Sequence, residues 1–137
     1  ELFKKYNTLY FDNELRLPRF TTYKGRRTYG VYSYKIDKKT KKLKNERFAI
    51  ANNVNWSEDT LRDMIVHEMI HCYIAQKNIK DNRDHGKVFK QMMNDYNRHY
   101  GLNITVKIDN KQLPFIDQKP RTSLTQKLIK CFKKIVG

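Results

Sequence analysis

TLRDMIVHEMIHCYIAQ, Thr60 to Gln76, is the stretch from which this chain is read. It contains His67-Glu68-Met69-Ile70-His71, an H-E-x-x-H run. On a helix, residues four apart share one face, so the two imidazoles lie about 6 Å apart along the axis. That separation suits two nitrogens on one tetrahedral zinc ion, with Glu68 beside them to take a proton from a metal-bound water. Leu61, Met64, Ile65, Val66, Met69, Ile70, Cys72 and Ile74 leave almost no polar face, which predicts a buried helix. Two histidines and a glutamate are costly to bury there unless something binds them.

The bulk properties bound the remaining choices. A chain of 137 residues makes one domain with an adequate core, to which nine Tyr and seven Phe contribute volume. No run of apolar residues is long enough to span a membrane, and the N-terminus lacks the pattern of a signal peptide. Two cysteines, Cys72 and Cys131, make no disulfide framework, and Cys72 reads as a small apolar packer. An intracellular compartment is expected, cytoplasmic, or nuclear if the source is eukaryotic. The net charge of +15 points to a polyanionic partner, with a merely solvated basic surface as the plainer reading.

Around the central helix the chain alternates in pattern. Residues 1–11 carry Leu2, Phe3, Tyr6, Leu9 and Tyr10 at helical spacing, and Asp12-Asn13 ends that helix. Phe20 to Lys24, Thr28 to Ile36 and Arg47 to Ala51 read as strands, with a lysine-rich hairpin loop over Lys38 to Lys44. Ser57 caps the central helix, Glu58 and Asp59 complement its positive end, and Trp56 staples onto Leu61. His85-Gly86 opens a further helix that Gly101 stops. Asn103 to Ile108 alternates as a fourth strand, and Ser123 to Val136 forms a basic amphipathic helix. Packing on the domain is the plain role for that helix, with phosphate backbone or a membrane surface as alternatives.

Two histidines do not complete a catalytic zinc site; a third protein ligand is needed, with the fourth position left to water. The metzincin continuation fails, because Ile74 and Lys77 stand where its Gly and third His belong. Asp81, Asp84 and Asp95 are carboxylate candidates on paper. His85 is favoured, because the chain there has left the helix, crossed a loop and can fold back. His99 is the competitor, but it lies about 21 Å from His85 along a continuous helix, so both cannot bind one ion. Asp63, one turn before His67, is a candidate to orient that ligand, with a solvated aspartate as the plainer reading.

The ordered motifs resemble those of the SprT-like zinc metalloproteases over about residues 1–108. They are Tyr6-Asn7 near the first helix, His67 to His71, and His85-Gly86-Lys87-Val88-Phe89 followed by Met93 and Asn97. The resemblance implies an α+β, compact zincin-like domain. In it a small, mostly antiparallel sheet packs on the buried H-E-x-x-H helix and two to three further helices. The expected boundaries are residues 1–112 for this domain and 113–137 for a basic tail. It implies one catalytic zinc ion held by His67, His71 and His85, with Glu68 as the base. It also implies a link to DNA, since relatives degrade proteins attached to DNA. Many relatives carry a cysteine-rich zinc ribbon, which two cysteines cannot build here.

The expected function is therefore a zinc endopeptidase acting on DNA-associated or DNA-crosslinked proteins. The expected partners are a protein substrate and DNA, single-stranded favoured, bound by a monomer. Candidate nucleic-acid contacts are Lys24, Arg26, Arg27, Lys38, Lys39, Lys41, Lys42, Lys127, Lys130, Lys133 and Lys134. Tyr23, Tyr29, Tyr32 and Tyr34 interleave with Lys24, Arg26, Arg27 and Lys35 as a base-stacking face, or else pack inward. Two alternatives remain: a zinc peptidase with a dedicated protein substrate, and a DNA-binding module with structural zinc. An intact Glu68 weighs against the second, since a structural site needs no base.

Overall fold

A computed structural model of the chain describes residues 1–117. The expected tail helix and its Lys127, Lys130, Lys133 and Lys134 lie outside the described residues. The elements run α1 (Leu2–Tyr10), β1 (Arg19–Tyr23), β2 (Gly30–Ile36), β3 (Leu43–Ala51), α2 (Glu58–Gln76) and α3 (Lys87–Tyr100). Among the described residues the fold is α+β, with three helices around a three-stranded sheet. Among the described residues, no helix is long and apolar enough to cross a membrane.

The sheet is mixed, which corrects the expectation of a mostly antiparallel one. Its order is β1-β3-β2. β1 pairs with β3 in parallel, Phe20 opposite Phe48, and β2 pairs with β3 antiparallel, Tyr32 opposite Phe48. β3 takes the centre because its end is apolar on both faces: Phe48, Ala49, Ile50 and Ala51 are fully buried. The Lys24–Thr28 turn does not close a hairpin. The buried Asn53 side chain accepts from Gly25 N (2.7 Å) and donates to Gly25 O (2.9 Å), tying that loop to the end of β3. β2 is an edge strand, and of the strands it makes the broadest approach to α2.

The predicted fourth strand is absent. Asn103 to Ile108 alternates in sequence, but its backbone is held by side chains instead of a neighbouring strand. The Asn97 side chain takes both polar backbone groups of Ile104, and Thr105 O lies against His67. The third strand is longer than expected and starts at Leu43, which shortens the lysine hairpin. In that hairpin the Asp37 carboxylate accepts from the amides of Lys39 and Thr40, leaving Lys38, Lys39, Lys41 and Lys42 exposed.

The core sits between sheet and helices. Phe3 of α1 packs edge-on against Phe20 and Phe48. Asp12 and Asn13 take left-handed backbone and end α1 as expected. Ser57 caps α2 in a capping box closed by Thr60. Leu61, Ile65, Met69 and Cys72 of α2 are buried, and Trp56 is buried with its indole N–H donating to Ala51 O. Beyond Gln112 the chain returns to the domain. Phe115 stacks on Tyr29, Tyr29 OH donates to Leu113 O, and Ile116 N donates to Asn53 O.

Candidate metal centre

α2 carries His67 and His71 to the rim of a groove of about 1350 Å³. His85 arrives from the loop between α2 and α3, and the reason is local. The N-cap of α3 is Gly86, which has no capping side chain. Asp81 takes over that role: its carboxylate accepts from Phe89 N at 3.0 Å and from Asn82 N at 3.0 Å. These backbone amides, Phe89 first, hold the Asp81 carboxyl below its ordinary range. A Cβ at Gly86 would collide with Asp81 and Asn82, so glycine lets the loop fold onto the helix start. His85, one residue earlier, is thereby turned towards α2.

The three imidazoles converge. His71 Nε2 and His67 Nε2 each lie 3.2 Å from His85 Nε2. Zinc–nitrogen bonds of about 2.0–2.1 Å in a tetrahedron place neighbouring nitrogens about 3.3–3.4 Å apart. The spacing therefore fits three ligands of one ion, and these three histidines could hold a metal. Phe89, fully buried, floors the cluster: its ring centroid is 4.9 Å from His67, 4.4 Å from His71 and 4.8 Å from His85.

Protonation supports the same use. Burial holds the His67 imidazole down to about 4, and burial likewise lowers His71. Both rings are neutral at pH 7, as a metal ligand must be. His67 Nδ1 lies 2.9 Å from the Thr105 carbonyl. A carbonyl only accepts, so Nδ1 carries the hydrogen and the Nε2 lone pair points into the cluster.

Glu68 is 8% exposed. Desolvation pushes its carboxyl up to about 7, against the opposing pull of the Tyr32 backbone N–H. Its Oε1 stands 3.8 Å from His67 Nε2. Asp84, largely exposed, has its carboxylate oxygens 3.8 Å from His71 Nδ1 and 3.7 Å from His85 Nδ1.

The other candidates separate from the site. Asp63 is partly exposed at the groove and accepts from Arg62 at 3.0 Å; the His67 ring is held by the Thr105 carbonyl instead. No side-chain pattern could have pointed to a backbone carbonyl. Asp95 accepts from Gln91 and Arg98, and His99 packs on Tyr100 in the last turn of α3.

Arg26 and Arg27 are exposed and line the metal groove, while Lys24 is exposed in the same loop. Most of the tyrosines pack inward. Tyr23 OH bonds to Thr28, Tyr29 stacks on Phe115, and Tyr32 OH donates to Glu46; Tyr34 is exposed at 45%.

No curated protein matches the chain. The family model described as the SprT-like family matches residues 1–108, a span that holds α1, α2 and α3, the sheet and the histidine cluster.

Proposed function

The chain belongs to the SprT-like family, and from that premise we propose that it is a zinc-dependent endopeptidase acting on proteins associated with or crosslinked to DNA. The observation that carries this reading is the convergence of three imidazoles beside a buried glutamate in an open groove. His67, His71 and His85 would hold zinc. Bound there, zinc would polarise a peptide carbonyl and acidify a water.

Glu68 is suited to exchange protons in this setting. A carboxyl near 7 accepts a proton from a water and returns it to a leaving amine without a large mismatch in either direction. The Tyr32 backbone N–H orients it from the edge strand. The groove admits an extended polypeptide, because β2 forms one wall and α2 another.

The nucleic-acid part rests on charge. Arg26 and Arg27 line the groove, and Lys38, Lys39, Lys41 and Lys42 project from the neighbouring hairpin. Together with a net charge of +15 they would hold a phosphate backbone near the substrate.

The test is to purify the chain, measure bound zinc, and follow cleavage of a basic DNA-binding protein with and without single-stranded DNA. Glu68→Gln is the control and is expected to keep zinc and lose cleavage. Zinc without cleavage in either condition would remove the peptidase reading. Equal cleavage with and without DNA would leave a peptidase with a dedicated protein substrate.

A further inference from the structure

Three asparagines in this chain do the same work. Asn7 takes Leu15 N (3.2 Å) and Leu15 O (3.0 Å); Asn53 takes Gly25 N (2.7 Å) and Gly25 O (2.9 Å). Asn97 takes Ile104 N (2.7 Å) and Ile104 O (2.9 Å). In each case a side-chain amide satisfies both polar groups of one backbone residue, as a neighbouring strand would. The three clamps differ in what lies next to them. Asn7 holds the exit from α1 and Asn53 holds the β1–β2 loop. Asn97 holds the residue next to Thr105, whose carbonyl meets His67 Nδ1 at 2.9 Å.

We propose that Asn97 is a positioning residue for the metal centre, acting through Ile104 and Thr105 on the imidazole of His67. Gly101 ends α3 in a left-handed conformation (φ 66°) and sends the chain back along the helix. Asn97, one turn before that end, meets the returning backbone. The Ile104 side chain is 3% exposed and anchors the same point in the core. With Ile104 held at both ends, the Thr105 carbonyl is fixed relative to α2. It then fixes the plane of His67 and the tautomer that leaves the Nε2 lone pair facing the His85 side of the cluster. Without the clamp, the carbonyl is free to drift, and the His67 ring loses the partner that sets which nitrogen is protonated.

This inference rests on the reading of the histidines as zinc ligands, so its test has one readout that needs no zinc. Zinc affinity is measured by chelator competition, and the His67 Nδ1–H signal by NMR in zinc-loaded and zinc-stripped protein. Asn97→Ala is expected to weaken zinc by about 10–100-fold, the range for loss of a partner behind a ligand, and to lose the His67 Nδ1–H signal. Asn7→Ala removes the equivalent clamp elsewhere; it is expected to lower the melting temperature while leaving zinc affinity and the His67 signal unchanged. Asn97→Asp keeps the acceptor for Ile104 N but turns a lone pair towards Ile104 O. It should shift both readouts in the direction of the alanine variant, and it decides the matter if the alanine variant does not fold. Folded Asn97 variants with wild-type zinc affinity and an intact His67 signal would overturn the proposal. A wild-type chain that binds no zinc would remove the zinc reading alone, and the His67 signal would still decide the role of Asn97.

Discussion

Gly30 of β2 lies so close to Met64 of α2 that a Cβ would collide with the Met64 sulfur and stand 3.2 Å from Glu68 Cγ. The constraint is space, not backbone conformation, since Gly30 sits in an ordinary strand. Strand and helix approach this closely because one residue has no side chain, and the approach brings the Tyr32 N–H within reach of Glu68. Gly30→Ala must push α2 away or turn Met64 and Glu68 out of place. Overpacking of this kind costs about 1–3 kcal/mol. The variant is expected to melt earlier and to lose hydrolysis in excess of its loss of folded protein, while zinc content is kept. Chemical denaturation together with a zinc assay checks it, and wild-type stability with wild-type turnover would show that β2 and α2 accommodate the added methyl without displacing Glu68.

His85 and His99 make a matched pair for testing the ligand set. Both are histidines bordering α3, one at the cluster and one exposed in the last helical turn. His85→Ala deletes one of three converging nitrogens. Its zinc affinity is expected to fall by more than the about 10–100-fold that an outer partner commands. His99→Ala is expected to bind zinc as the wild type does. Titration with a chromophoric chelator separates them; equal affinities would exclude His85 from the site.

The parts of this fold that could be read from sequence are those contained within one element. The four-residue spacing of His67 and His71 becomes geometry as soon as the helix forms, and the apolar residues around it settle that the helix forms in the core. Ser57, Asp12-Asn13 and Gly101 act locally and were equally readable. Misreadings arose where a side chain far along the chain replaces a strand. Asn103 to Ile108 has strand periodicity, but Asn97 occupies its backbone. The parallel pairing of β1 with β3 depends on Asn53 holding Gly25, 28 residues away. The Thr105 carbonyl carries no sequence signal, because every residue has one.

Cys72 is fully buried on α2, and burial pushes its thiol up to about 12 from an ordinary 9.0. Between those values the folded chain keeps a proton that the unfolded chain has lost. A group raised in this way contributes its stability in full below the unfolded value and loses it as pH rises towards the folded value. Tyr6, raised by burial to about 12, acts with the same sign above its ordinary 10.0. Stability is therefore expected to fall with increasing pH above about 9, by up to about 1.4 kcal/mol per pH unit for each such group. Urea denaturation at several alkaline pH values measures the slope. Cys72→Ala should be less stable near neutrality, because it leaves a cavity, yet show a shallower alkaline slope. An unchanged slope in that variant would mean that the thiol titrates normally in the fold.

Phe115 closes the domain from beyond the last helix. It stacks on Tyr29 with ring centroids 4.4 Å apart and forms a bridge with Val54. A Cβ on Gly25 would lie 2.6 Å from its ring, so the loop carrying Arg26 and Arg27 is shaped against it. Leu113 O accepts from Tyr29 OH, and Ile116 exchanges both its backbone groups with Asn53. Leu113 to Ile116 thus behave as a strap over the β1–β2 loop. Phe115 is only partly buried, so Phe115→Ala is expected to cost about 1–3 kcal/mol, below the 3–5 kcal/mol typical of a fully buried aromatic. A chain ending at Gln112 should be less stable still than one ending at Asp117, since it also loses the bonds to Tyr29 and Asn53. Paired urea melts of those two truncations isolate the strap from everything after it. Equal midpoints would place the end of the folded unit at Gln112, and the loop bearing Arg26 and Arg27 would then owe its shape to Asn53 alone.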